Sequence, residues 1–438
     1  MRSKKIRIGV ALAAGSLLAV MLTAGAIVAG AAPTATPVVG SGKASATKSN
    51  CGKGTGKKAT GTPIKLGSIN MLIPGSDFTT SSKTVAAYFR CVNDNGGING
   101  RPIRYIQYTE QLNPAQEAAL ARKLIEQDKV VGVVGNMSFA ECGTNWKYYQ
   151  RKGFVVIGAG VQAECFSTPS LAEVNMGPRY STLGAAQALV RAGIKKLAIA
   201  SPDAISAYAD GAAVLVAKRA GIPVKLFPTH LPVTDATSQL IQMYQFAGEG
   251  GGIVLDFTPD TAPAFMKAAI AQGIVEKVKW GSSTPIANTF MAAQFPQFDR
   301  HLWINSEFSN VDPKVGPDSA LMFQILKRYT KIAPQAFAQM GFMAGKFSTN
   351  ALLSIKGPIT AKSYNDAVRN LKNQKTDMLC KPFYVGKLPY HIPNNWDITV
   401  DYRKGKVVVK EKCFAIAAVD KSIAQTRIWE KKFKLTSG

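Results

Sequence analysis

From Pro63 onward, short apolar runs alternate with amphipathic stretches. Residues 64–69 alternate apolar and polar positions, the two-residue period of a strand. Residues 84–95 put Val85, Phe89 and Val92 on one helical face. Asn95, Gly96 and Gly97 end that helix, because Gly tolerates the left-handed conformation of a helix terminus. Residues 103–108 read as the next strand. Asn113 then caps a helix with Pro114 at its first position, where a missing N–H costs nothing. Residues 130–134 and 154–157 are continuous apolar runs, as expected of strands covered on both faces.

The rhythm restarts at Lys195. It predicts strands at 197–200, 224–227, 252–257 and 278–281, with helices at 207–220, 237–247 and 262–272. Strands alternating with helices wind a parallel sheet through right-handed crossovers. Two such runs predict two Rossmann-like sheets in an α/β protein. Residues 317–371 read as mainly helical. After Pro382 the pattern turns to strands and turns, with a hairpin of 398–400 and 407–409 about residues 403–406.

The segment before Pro63 is different. Arg2, Lys4, Lys5 and Arg7 precede an apolar run from Ile8, which closes on small residues at Ala29, Gly30 and Ala31. This is the pattern of an export signal over residues 1–31. An uncleaved, tilted membrane anchor is the alternative reading. Residues 32–62 are Ala, Gly, Ser, Thr, Pro and Lys without periodicity, the composition of a flexible tether. No Cys directly follows the apolar run, so no lipid-attachment site is evident. An extracytoplasmic location is expected.

Net charge is +26, spread along the chain without a long basic block. No helix-turn-helix or RNP-like string occurs, so nucleic acid is not an expected partner. Anionic surface polymers or lipid headgroups are the partners such a surface favours. The six cysteines are even in number and belong to an oxidising compartment, which predicts disulfides. Cys142 and Cys165 flank a turn at Gly153, and Cys380 and Cys413 flank the carboxyl-terminal hairpin. Elimination leaves Cys51 with Cys91. No CxxC occurs and no His stands at zinc-ligand spacing, so neither a metal nor a cofactor is implied.

One stretch is more specific. Residues 64–67 (IKLG) are followed about thirty residues later by 96–103 (GGINGRPI), then by 113–119 (NPAQEAA) and 131–135 (VGVVG). This series resembles the type I periplasmic binding proteins, in particular the branched-chain amino-acid receptors of ABC importers. The resemblance implies two α/β lobes joined by a three-stranded hinge, with a small molecule bound in the cleft. Crossings near Met176, Ser306 and Pro389 would give lobe one as 63–176 plus 307–388 and lobe two as 177–306 plus 389–438.

Open α/β sheets bind ligands beyond the carboxyl ends of their strands. The loops there are 73–78, ending at Phe78, then 136–140 and 158–162. Carried over from the family, Ser138, Phe139, Gly160 and Gln162 face the ligand from lobe one. The helix after Phe139 offers its N-terminus to an anion. In lobe two the equivalents are Tyr208, Phe257, Thr258, Ser283 and Thr284. Each has a plain alternative: core for the two Phe, helix capping for Ser138, Ser283 and Thr284, and surface cover for Tyr208.

One departure stands out. Amino-acid receptors of this family place an acid in the loop matching 281–285, where it pairs the ligand ammonium. This chain has none there. Asp256 or Asp203 are the substitutes at hand. The expected function is capture of a small, carboxylate-bearing molecule for delivery to an ABC permease, without catalysis. A ligand-sensing module on the same fold is the alternative. A secreted hydrolase lacks support, since no Gly-x-Ser-x-Gly elbow occurs and His230, His301 and His391 fall in none of these loops.

Overall fold

The alternation that begins at Ile64 is the central strand of a twisted sheet. The computed structural model describes residues 36–38, 51–385, 392 and 395–435. The export signal, most of the first half of the tether, the crossing at Pro389 and His391 lie outside them. The first sheet contains β1 (Thr36–Val38), β2 (Ile64–Ile73), β3 (Ser76–Asp77), β4 (Ile103–Glu110) and β5 (Gly132–Val133). Parallel partners β4 and β5 flank β2, while β1 and β3 run antiparallel to β4 and β2. A parallel pair, β6 (Val156–Gly158) and β7 (Leu171–Glu173), continues it through a single bridge from Val134 to Ile157.

Helices α1 (Thr79–Asp94), α2 (Pro114–Arg122) and α3 (Glu141–Lys152) join these strands. The Asn113 side chain accepts from the N–H groups of Ala115 and Gln116, at 3.0 and 3.1 Å, as its capping position predicts. Gly97, after α1, has φ +58°, and a Cβ there would meet the Arg101 carbonyl oxygen at 2.3 Å. Only Gly makes that turn.

The second sheet begins after α4 (Gly177–Arg191). It holds β8 (Leu197–Pro202), β9 (Val224–Thr229), β10 (Gly252–Leu255), β11 (Lys279–Ser282) and β12 (Leu302–Ser306) in the order 9-8-10-11-12, all parallel. The hairpin β13 (Trp396–Arg403) and β14 (Lys406–Ala415) adds two antiparallel strands beside β12. Helices α5 (Asp203–Ala209), α6 (Gly211–Arg219), α7 (Ala236–Ala247), α8 (Ala262–Ala271) and α9 (Thr289–Gln294) cover it. The chain then returns to the first core through α10 (Pro317–Tyr329), α11 (Ala336–Ser354) and α12 (Ala361–Arg369). A last helix, α13 (Lys421–Phe433), follows β14. Among the described residues, no helix is long and apolar enough to cross a membrane.

Several boundaries differ from the pattern. The single helix expected over 207–220 is two, broken at Asp210, whose buried carboxylate accepts from Ser201 and Ser206 at 2.7 Å each. The strand expected over 130–134 keeps only Gly132–Val133, because Gly135 turns the chain with φ +85°. The disulfides are Cys51–Cys91, Cys142–Cys165 and Cys380–Cys413. Residues 51–62 have a tether's composition but are held in place. Cys51 is fully buried, and the N–H groups of Thr55, Ala59 and Gly61 donate to the carbonyls of Asn95, Asn93 and Gly100. A disulfide and backbone hydrogen bonds do here what apolar burial does elsewhere.

Lobe one also buries acids. Glu117, Glu141 and Glu173 are each at most 2 % exposed. Burial pushes the Glu141 carboxyl up to about 7, against the pull of hydrogen bonds from Tyr149 and Asn136. Glu117 is raised by burial and by the charges of Glu141 and Glu110, and Glu173 by burial and Glu141. A raised carboxyl binds its proton more tightly in the fold than in the unfolded chain. Its contribution to stability is complete below the ordinary carboxylate range and is lost as pH climbs through the folded value. For Glu141 that window runs from about 4.5 to about 7. The melting temperature should therefore fall steadily between pH 5 and pH 8, and Glu117→Gln should flatten the slope. Calorimetry across that range checks this; a flat or rising profile in the parent protein contradicts it.

Candidate functional site

Because central strands such as β8 and β10 are buried on both faces, only their ends carry free loops. The carboxyl ends of β2, β5 and β6 in one sheet and of β8, β10, β11 and β12 in the other enclose one cavity of about 50 Å³. From lobe one come Phe78, Met137, Phe139 and Val161, with Phe337 and Met340 from the first turns of α11. Phe78 meets Phe139 and Phe337 edge-on, with ring centroids 5.0 and 5.4 Å apart. From lobe two come Pro202, Ile205, Asp256, Phe257, Thr258 and Ser283. Phe257 stacks on Phe265 at 4.8 Å, which fixes its ring. Glu307, Ser181 and Asn175 lie at the strand crossings and complete the polar part.

Of the residues expected from sequence, Phe78, Phe139, Phe257, Thr258 and Ser283 line this cavity. The other five do not. The Ser138 hydroxyl donates to Glu110 Oε1 at 2.7 Å and accepts from the Ala140 N–H, so it is engaged in the turn before α3. Gly160 packs on the Cys142–Cys165 disulfide, where a Cβ would sit 2.4 Å from Cys165 Cβ. Its N–H and carbonyl are both bonded to the Asn175 side chain. Gln162 accepts from the Gly143 N–H at 2.9 Å and so braces α3. Tyr208 lies under the Arg179 guanidinium, 5.3 Å from ring centroid to Cζ. Thr284 is tied to Ser181 and to the Asn305 carbonyl, beneath the cavity floor.

Of the two substitute acids, Asp256 lies in the cavity, and Glu307 is the addition. Asp256 is 6 % exposed and Glu307 3 %. Asp256 Oδ1 accepts from the Ser283 hydroxyl, and Oδ2 accepts no hydrogen bond among the described residues. Burial, then the charge of Asp210, pushes Asp256 up to about 7. The hydroxyls of Ser283 and Thr182 pull it back, although Thr182 Oγ1 meets no partner at hydrogen-bond geometry. Glu307 Oε2 accepts from the Met176 N–H. Burial pushes Glu307 up to about 8, with Asp256 adding to the rise. Asp203, the other substitute, is exposed on the surface and paired with His230 at 3.0 Å. Among the described residues, no Lys, Arg or His lines the cavity. Glu307 was legible only as an acid directly after the apolar run 302–304, and Phe337 and Met340 carried no signal that separates them from core.

The two lobes also touch beside the cavity. The Gly75 carbonyl, in the turn between β2 and β3, accepts from Thr261 Oγ1 at 2.7 Å and Thr258 Oγ1 at 3.2 Å. The Asp77 N–H donates to Asp260 Oδ2 at 3.1 Å.

A likeness to known proteins fits this geometry. An "amino acid binding protein" of Pseudomonas aeruginosa is 32 % identical over 69 residues, which span 16 % of this chain and 18 % of that protein. Among solved structures, the fatty acid ABC transporter substrate-binding protein of Thermomonospora curvata superposes with a TM-score of 0.71 at 14 % identity, covering 84 % of this chain and 96 % of that one. A branched chain amino acid ABC transporter protein of Thermus thermophilus with bound valine gives 0.70 at 14 % identity, over 84 % and 99 %. A solute binding protein of R. palustris in complex with 4-hydroxybenzoate gives 0.63 at 19 %, over 81 % and 97 %. At such identities these structures speak for the fold. The sequence profile of the periplasmic binding proteins matches residues 64–393, and the chain belongs to that family.

Proposed function

We propose that this protein captures a small, largely apolar solute between its lobes and presents the closed complex to an ABC importer outside the cytoplasm. The observation that carries the reading is the cavity itself, built from strand ends of both sheets. A ligand touched from both sides favours the closed form, because the open form forgoes half of those contacts. Two of the relatives named above are substrate- or solute-binding proteins by name, and two carry bound ligands, valine in one and 4-hydroxybenzoate in the other. The three disulfides fit an oxidising compartment.

The expectation of a carboxylate-bearing ligand finds little support in this lining. A ligand carboxylate would enter a site with two acids and no cationic side chain. Burying it unpaired costs several kcal/mol, on the order of the penalty for any desolvated ion.

The contacts at Gly75 close the lobes from the side. They join one lobe's hairpin turn to the other lobe's β10–α8 loop, so they exist only while the lobes are together. Each neutral hydrogen bond contributes about 1 kcal/mol, a factor of roughly five in a closing equilibrium.

Two outcomes are expected. A metabolite panel should contain a compound that raises the melting temperature and reduces the radius of gyration in solution scattering. A folded protein with no hit across a broad panel counts against capture as the function. Second, Thr258→Val with Thr261→Val should weaken that ligand by about five- to thirty-fold, on the order of one to two lost hydrogen bonds. Titration calorimetry reads it, and unchanged affinity shows that these contacts do not hold the lobes shut.

A further inference from the structure

Resting on the capture reading, we propose that the cavity selects a small primary or secondary ammonium on an apolar body, and that Asp256 and Glu307 receive its charge. Three observations converge on this. The first is the inventory of charge. In a chain with a net charge of +26, no Lys, Arg or His among the described residues lines the cleft, yet two carboxyls do. The second is the unpaired acceptor. Asp256 is more than nine-tenths buried, and its Oδ2 accepts no hydrogen bond among the described residues. A buried carboxylate oxygen in that state is costly until a donor arrives, and an ammonium brings two or three. The third is the wall. Phe78, Phe139, Phe257 and Phe337 present aromatic surface, which packs against an apolar body and attracts a cation over a ring face.

A neutral amide satisfies the donor requirement but brings no charge. A carboxylate brings the wrong one. A zwitterionic amino acid needs a counter-charge for its carboxylate that the side chains of the cavity do not supply. The room is modest, since about 50 Å³ accommodates a few waters. The body is therefore no larger than a branched alkyl chain or a single ring.

The surrounding groups add a proton linkage. Asp256 faces Asp210, and Glu307 faces both Asp256 and Asp397, so acids raise the pair. Near neutrality the pair holds protons, with Asp256 at about 7 and Glu307 at about 8. An incoming ammonium favours the ionised forms and expels a proton. Amine affinity must then rise with pH between 6 and 8, where the amine itself stays charged. Carboxylate affinity, if any, must fall over the same range.

The test is titration calorimetry with isoamylamine and benzylamine, against isovalerate, benzoate, isovaleramide, benzamide and leucine. It is run at pH 6 and pH 8 in buffers of different ionisation enthalpy. The expected result is binding of an amine alone, about tenfold tighter at pH 8, with net proton release. Asp256→Asn should lose at least thirty-fold in amine affinity and most of the proton release while melting no lower than the parent. Glu307→Gln serves as the second variant should the first fold poorly. Binding of an acid, an amide or leucine in preference to the amines overturns the ammonium assignment and leaves the capture reading intact. So does amine binding that ignores both substitutions. Failure of all these probes while the metabolite panel yields another ligand also overturns it, whereas failure of both sets removes the capture reading as well.

Discussion

A strand of a parallel sheet that is covered on both faces has only its two ends free, and the rest of this molecule follows from that constraint. Residues of β10 are buried throughout, as are those of β8. Nothing on those faces can meet a solute. What can meet one is the residue that follows each strand: Asp256 after β10, Ser283 after β11, Glu307 after β12. Parallel strands point these residues to the same edge. Two such edges brought face to face make the cavity, and the crossings near Met176 and Glu307 are part of its wall because they are where the sheets connect.

The second consequence is electrostatic. The same low-dielectric setting that makes the strands stable makes every acid at their ends expensive to ionise. The protein could have balanced Asp256 and Glu307 with one of its many Lys or Arg residues. It balances a different buried acid in that way: Asp401, in β13, is fully buried yet reached by Arg403 at 3.2 Å and Lys410 at 3.3 Å. Lys410 in turn rests over the Trp303 ring, 3.5 Å from its centroid. That acid is spent on joining the hairpin to the sheet. In the cleft, Asp256 is instead met by the Ser283 hydroxyl and Glu307 by the Met176 N–H.

Most of the fold was legible because periodicity reports burial, and burial is what a strand or an amphipathic helix needs. It failed where burial is uniform. Helix α4 carries Gly184, Ala185, Ala186 and Ala188 and is buried over most of its surface, so no polar stripe marks it. Gly184 sits against Asn305, where a Cβ would come within 2.1 Å of the side-chain oxygen, so the helix is built for close approach to β12. Strand β12 itself was overlooked between loops, and α13 followed a region that reads as turns and strands. The site was less legible than the fold. Phe78 was found from its position after a strand, and Phe139 and Phe257 came with the family resemblance. Ser138 came with the same resemblance, but here its hydroxyl is engaged by Glu110 and the Ala140 N–H in the turn before α3. Asp256 and Glu307 carry no motif, since what distinguishes them is desolvation, a property of the assembled sheet.

The cavity and the side contacts also depend on one another. Phe257 and Thr258 are adjacent, the first against the cavity and the second against the Gly75 carbonyl. A movement that opens the cleft must separate both at once, because the two residues share one rigid loop between β10 and α8. Phe257 is stacked on Phe265 of α8, so the loop cannot release its ring without disturbing the helix. On the opposite side, Gly75 belongs to the turn that leads through β3 into Phe78, the N-terminal neighbour of α1. The Phe78 ring is held between Phe139 and Phe337. Ligand contact and lobe contact are thus carried by the same two loops, each anchored in its own core. Under the capture reading, a solute that shifts Phe78 or Phe257 would alter the Gly75 contacts directly, without any further element to transmit the change.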